Sequence, residues 1–366
     1  MSNILSKYAK LLVNYSLEIQ PGERLFVKTT TLAEPLVREI FREVLKAGGY
    51  METFFDFREK DRIFYEEANE EQLKYVPPYF KKSMETYDAY LNIRAQFNLR
   101  ETATIDIAKA KINKEAQSEM WQTYFKRTAT RDLKRSLCQY PTIAYAQEAG
   151  MSLEEYEKFV YNACFLYEDD PVSKWLEVRA YQQKIVDFLN QREVIRYKHP
   201  EFDISFRTKG RTWINSDGQT NMPSGEVYTS PEEDSVNGII HFSFPAIRAG
   251  YEVEEVTLWV ENGEITKWDA KRGKEYLDEI FKIPGSTRFG EAAIGTNRNI
   301  QTMTKNILFD EKIGGTVHMA IGQSYLQAGG KNTSAIHWDM ITDMTNGGEI
   351  FADDELIYKN GEFLFL

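Results

Sequence analysis

Four short blocks hold the residues best suited to chemistry. They are "NMPSGEVYTSP" (221–231) with Glu226, "RFGEAAIG" (288–295) with Glu291, "DEKIGGTVHMAIGQSY" (310–325) with Asp310, Glu311, His318 and Tyr325, and "SAIHWDM" (334–340) with His337 and Asp339. Residues two apart on a strand share a face, so His337 and Asp339 project together while Ile336, Trp338 and Met340 project the other way. A polar pair inside an apolar run needs partners, because unsatisfied buried polar groups are costly. The pair either satisfies itself in the core or holds a metal ion. Counting by two from His318 gives Ala320 and Gly322, a face with little side-chain bulk and room for an ion and a substrate. In both Gly–Glu pairs the glycine permits close backbone approach. Two imidazoles with three or four carboxylates suit a pair of divalent ions such as zinc, cobalt or manganese.

Each block alone is weak. A lone Glu after Gly is usually a solvated turn residue, and a lone strand His is usually a satisfied core residue. The informative feature is the series Glu, Glu, Glu, His, His-x-Asp within one half of the chain. The other two histidines, His199 in "YKHPEF" and His241 in "IIHFSF", read as structural. Rival schemes fare worse. There is no GxSxG elbow, no HExxH, and no histidine near either cysteine in sequence. A facial iron triad of His318 with His337 and Asp339 reverses the familiar order and leaves Glu226 and Glu291 without a role.

The elements that must position these residues divide the chain in two. Over the first half, helical and strand patterns alternate: a helix at 3–16, the strand "RLFVKTT", a helix at 33–47 closed by Gly48, the strand "YMETFFDF", a helix at 67–75, the strand "AYLNIRA" and a long helical pattern at 105–126. That order predicts an α/β domain with a mostly parallel, Rossmann-like sheet. With no glycine-rich phosphate loop, no dinucleotide is expected. A helical region at 152–194 follows, opened by a capping box of Ser152 and Glu155. From about residue 200 short strands are separated by "SDGQ", "VNG", "ENGE" and "KNGE", which predicts a β-rich α+β domain with one helix near 273–282. The boundary falls around 185–200, giving domains of 1–190 and 191–366.

At 366 residues the chain suits two domains, and its net charge of −11 opposes nucleic acid and anionic membranes as partners. The same charge suits a cationic ligand. Cys138 and Cys164 sit among apolar neighbours, as buried thiols of a reducing compartment do. The N-terminus lacks the apolar core of a signal peptide and no run is long enough to span a membrane, so a cytoplasmic protein is expected.

At the four blocks the sequence resembles the M29 metallo-aminopeptidases, the aminopeptidase T and aminopeptidase S group. "NMPSGEVYTSP", "FGEAAIG", "HMAIGQSY" and "SAIHWDM" match that family's ligand blocks in order, and similarity extends through "AGMSLEEYEKFVYNACF" (149–165). The resemblance implies two co-catalytic divalent ions (zinc, cobalt, manganese or magnesium) and a homodimer with enclosed active sites. Carried over by position, the ligands are Glu226, Glu291, Glu311, His318, His337 and Asp339, with Tyr325 lining the site and Glu291 or Glu226 a candidate proton shuttle. Strand spacing alone turns Tyr325 to the face opposite His318, unless Gly322 breaks the register. The segment from Glu311 to His318 aligns only with a gap, and the loop from Tyr325 to His337 is shorter than in familiar members. The expected activity is metal-dependent removal of N-terminal residues from peptides with a free α-amine. The alternatives are another dinuclear hydrolase of amides or phosphoesters, or a metal- or peptide-binding protein without turnover.

Overall fold

The run "RLFVKTT" forms the strand Arg24–Thr30, with Tyr50–Asp56 and Ala89–Arg94 paired to it in parallel on either side. Lys134–Gln139 extends the sheet beyond Ala89–Arg94, and the short strand Asn221–Met222 follows, again in parallel. Leu25, Phe26 and Val27 are all buried, as expected of a parallel strand covered on both faces. The computed structural model describes residues 2–248 and 250–365. Among them no helix is long and apolar enough to cross a membrane.

Local chemistry explains where the helices depart from the sequence pattern. The helix expected at 67–75 is two helices, Lys60–Glu67 and Glu70–Leu73. Ala68 turns extended, and Asn69 opens the second helix with a capping box, its side chain accepting from the Gln72 amide. The pattern at 105–126 is likewise split at Gln117 into Ile107–Ala116 and Ser118–Ala129. The N-terminal helix is Ser2–Lys10, continued by a wider π-helical turn over Leu11–Ser16. The half-polar strand Lys134–Gln139 had no alternating apolar signal to announce it. Cys138 and Cys164 are both buried.

The chain forms two compact units. One runs to Lys174 and includes Gly218–Pro223; the other holds Trp175–Asp217 and everything from Ser224 on. This division lies ahead of residue 190 because Ile185, Val186 and Leu189, on the helix Pro171–Leu189, are packed into the second unit's core.

Among its described residues the second unit contains two large antiparallel sheets and a two-stranded ribbon, Ala246–Arg248 with Tyr251–Val253. The larger has eight strands, with Val194–His199 and Phe202–Arg207 at its middle. Two of its hairpins use the expected turns. Asn262–Gly263 and Asn360–Gly361 all have positive φ, the geometry that favours Asn-Gly between paired strands. The smaller sheet runs in the order His337–Asp343, Thr316–Gly322, Phe289–Gly295, Glu226–Thr229 and Ile214–Ser216. Val227, Ala292, Ile294, Val317, Met319, Ile321, Trp338 and Met340 from this sheet join Tyr197, Phe206, Ile240 and Leu258 of the larger one in a single core. Alternate residues of the smaller sheet therefore project away from that core, and these include the chemistry-bearing ones.

Candidate metal centre

Antiparallel register brings the four blocks together. Glu291 lies opposite Ala320, and Ala320 opposite Asp339, so the two carboxylates flank an alanine across three strands. His318 pairs with Ala293, which pairs with Tyr228; Gly322 pairs with His337, and Gly295 with Glu226. The outward face thus alternates ligand-type side chains with Ala293, Gly295, Ala320 and Gly322. Small residues leave the floor empty where larger ones would fill it.

Two glycines make this geometry possible. A Cβ on Gly225 would lie 2.6 Å from the Cβ of Asn297, and one on Gly290 would lie 2.3 Å from the Gln323 carbonyl oxygen. The strand register shifts at Gly290, and the freed Gln323 carbonyl accepts from His337 Nδ1 at 2.7 Å. That bond orients the imidazole and turns Nε2 toward the carboxylates. At Gly322, φ is +97° and the strand ends. The chain then brings Tyr325 back, so that its hydroxyl lies 3.4 Å from His337 Nε2. Ser230 holds the return, accepting from the Tyr325 amide and donating to the Gly290 carbonyl. Spacing alone sends Tyr325 to the core face; the register break sends it to the site.

The ligand-type atoms converge. Glu291 faces both histidines, with Oε1 3.7 Å from His318 Nε2 and Oε2 3.0 Å from His337 Nε2. Glu226 Oε2 is 3.4 Å from His318 Nε2, and Asp339 Oδ1 is 3.4 Å from His337 Nε2. Three groups have ligand atoms within 4.8 Å of one another: Glu226, Glu291 and His318; Glu291, His337 and Asp339; and Glu311, His318 and Asp339. All six residues read from the sequence are in these groups.

The sequence missed Lys312. Its side chain is fully buried, with Nζ in contact with Glu311 Oε1 and 3.3 Å from Glu226 Oε1. A lysine between glutamate and glycine reads as a solvated turn, and no spacing rule singles it out. Asp310 stands apart, accepting from the Thr304 amide and hydroxyl.

The electrostatics follow from crowding charges away from water. Burial alone would lower the pKa of His318, but Glu291, Glu226 and Asp339 outweigh it and hold it at about 9. His337 is raised well above its ordinary value by Asp339 and Glu291, again against burial. Asp339 and Glu291 are held below the usual carboxylate range by the imidazoles, although burial acts to raise them. Glu311 is pushed up to about 8 by burial, with Glu226 and Asp339 adding to the effect and Lys312 opposing it. Burial also raises Tyr325, with Glu291 and Asp339 reinforcing it, so the phenol keeps its proton and donates.

These residues fit divalent ions. Glu226 Oε2, both ring nitrogens of His318 and Asp339 Oδ1 are buried and make no hydrogen bond. Buried polar atoms are almost always satisfied. Unsatisfied atoms of the ligand types of a metal hydrolase, converging over a floor of Gly and Ala, answer to a cation. His199 and His241 do not join them. His199 Nε2 bonds the Asn346 carbonyl, and His241 lies between Thr257 and Glu255, a carboxylate brought across by strand pairing.

Comparison with known proteins bears on the same point. Residues 1–363 match the model of a family described as thermophilic metalloprotease (M29). The chain belongs to the M29 metalloprotease family. This is the metallo-aminopeptidase family its four blocks resemble. Aminopeptidase 2 of Geobacillus stearothermophilus is 27% identical over 99% of this chain and 98% of its own. Aminopeptidase AmpS of Bacillus subtilis (strain 168) is 26% identical over 100% and 99%. The solved structure of wild-type AmpT from Thermus thermophilus superposes with a TM-score of 0.84, covering 99% of both chains at 20% identity, a likeness of fold. The α/β and β-rich halves expected from the sequence are those of this fold.

Proposed function

We propose that this M29 member is a dinuclear aminopeptidase acting on peptides with a free α-amine. One observation carries the proposal: two of the three ligand groups share Glu291, one adding Glu226 and His318, the other His337 and Asp339. Two ions side by side with a common carboxylate fit that sharing. Zinc, cobalt, manganese and magnesium all remain candidates, imidazole favouring the first three.

Two bound divalent ions supply a water acidified to a nucleophile and a polarised scissile carbonyl. The protein does the rest. Glu226 and His318 would hold one ion, His337 and Asp339 the other, and Glu291, whose two oxygens each face an imidazole, would serve both. The sharing makes Glu291 a ligand and not the proton shuttle. Glu311, in contact with Lys312 through Oε1 and within ligand distance of His318 and Asp339, would complete the set. The Tyr325 hydroxyl donates to the oxygen that gains charge during attack. The acid-rich cluster favours the cationic α-ammonium end of a peptide. The expectations of a homodimer and of a cytoplasmic location belong to this proposal; light scattering and cell fractionation check them.

The test pairs metal analysis with a substrate panel. Protein purified without chelator is expected to carry close to two transition ions per chain and to cleave leucine p-nitroanilide but not its N-acetyl form. Cleavage of blocked amides or phosphoesters at comparable rates would replace the aminopeptidase with a broader hydrolase. Two tightly held ions with no turnover of any free-amine substrate would leave a binding protein.

A further inference from the structure

The parallel sheet of the first unit reverses its winding. From Arg24–Thr30 the chain passes outward to Tyr50–Asp56, then returns to Ala89–Arg94 on the other side and continues to Lys134–Gln139. At such a reversal the connections leave in opposite directions and open a crevice beyond the carboxyl ends of the strands. A cavity of about 660 Å³ is lined by segments that follow three of these strands, between 58 and 62, between 97 and 104, and on the helix Ile143–Glu148. None of the candidate metal ligands lines it.

Most of its charges pair off. Arg62 reaches Glu59 at 3.4 Å and Glu66 at 2.5 Å, and Arg100 lies 3.6 Å from Glu148. Two lining charges are left over. Among the described residues neither Arg58 nor Glu101 has an ion-pair partner, and they do not pair with each other. The Arg58 guanidinium lies 5.3 Å from the centre of the Phe97 ring, which holds it without neutralising it. Phe97, Leu99 and Ala144 supply apolar surface.

One spare cation, one spare carboxylate and an apolar lining match a zwitterion that carries a side chain. They do not match a nucleotide. Phosphate sites at such a crevice use a glycine-rich turn into a helix N-terminus. From Arg24 to Lys46 there is no glycine, and Glu34 puts a carboxylate in the first turn of the helix Glu34–Lys46. Glu59, Glu101 and Glu148 would also repel a dianion. We propose that this cavity binds the zwitterion of an α-amino acid or short peptide, Arg58 taking the carboxylate and Glu101 the ammonium. Such ligands have the chemistry of what an aminopeptidase releases. Binding here needs no ion and so stands apart from the dinuclear reading.

The experiment is calorimetric titration of the full chain with leucylleucine, after metal is stripped by chelator so that nothing is cleaved. One peptide should bind per chain. N-acetyl-leucylleucine and leucylleucine amide, each lacking one charge, should bind at least threefold more weakly. Arg58→Ala and Glu101→Gln should each weaken the free peptide at least threefold, the loss of one charge-assisted contact. Both variants should keep the metal content of the parent and its kcat on leucine p-nitroanilide. Free leucine that binds as tightly as the dipeptide would make the amino acid the occupant, and weaker binding would make it the peptide. No binding at millimolar peptide overturns the proposal. So does equal binding of the capped peptides, or a smaller change in either variant. Inorganic phosphate that binds more tightly than the peptide would make the cavity an anion site and overturn it as well. Binding lost in His337→Ala would put the peptide at the metal centre, with the same consequence.

Discussion

The two faces of the five-stranded sheet in the second unit are built from the same strands and obey opposite rules. Toward the core, Val227, Ile294, Met319, Ile321, Trp338 and Met340 interlock with the larger sheet. Away from it, side chains alternate between Glu, His or Asp and nothing larger than Ala or Gly over most of the surface, with Tyr228 and Ile341 toward the margins. One face is filled to exclude water, the other left open around the candidate ligands. Because pleating alternates side chains strictly, a single residue step moves a substitution from one regime to the other.

His337 and Trp338 are the sharpest way to break that comparison. Removing the imidazole should lower metal occupancy and cut activity on the order of 10²-fold or more, ligands mattering at least as much as their supporting shell. The melting temperature of metal-free His337→Ala should stay close to that of the metal-free parent. Trp338→Ala should do the reverse. It empties a site packed against Tyr276 and costs about 3–5 kcal/mol of stability, while ion stoichiometry below the melting transition stays the same. Denaturant unfolding and metal analysis on both variants decide it. If His337→Ala keeps both ions, or Trp338→Ala loses them while folded, the division between faces is wrong.

A smaller effect sharpens the role of Tyr325, which spacing assigns to one face and the Gly322 turn to the other. Tyr325→Phe should fold, bind both ions and retain a KM close to wild type, with kcat at least tenfold lower. Losing one oxyanion donor typically costs on the order of 10²–10³ in kcat. A kcat within about threefold of wild type on the best aminoacyl-anilide would return the ring to a packing role.

The mildest test is pH. In metal-free protein the pKa of His318 is raised from 6.5 to about 9, so its protonated form stabilises the fold. That contribution is complete below about 6.5 and is lost as pH climbs through about 9. Metal binding must displace the same proton, so apparent affinity should strengthen over that window. Calorimetric melting of stripped and loaded protein should show the gap in melting temperature widening from pH 6.5 to 9. A constant or shrinking gap would mean that the His318 proton is not linked to ion binding.

Much of the site was legible because strand periodicity is local. His337 and Asp339 share a face by pleating alone, and Gly225 and Gly290 announced close approach before a partner was known. The capping box at Ser152 and the Asn-Gly turns carried signals of the same short range. The misplaced helix at 67–75 shows the limit. Apolar spacing ran through Asn69, while the chain obeyed the cap that Asn69 forms with Gln72.

By itself the sequence determined which side chains alternate on each strand, where hairpins turn, and that a carboxylate–imidazole set lies in one half of the chain. Those properties depend on neighbours within a few residues, where backbone sterics dominate. Tertiary structure decided how the four strands register, and therefore that Glu291 is shared. It decided that the Gln323 carbonyl orients His337, that Gly322 turns Tyr325 inward, and that Lys312 is sealed against Glu226 and Glu311. Each of these joins atoms from distant parts of the chain, and no local pattern encodes a contact whose energy exists only once the strands have met.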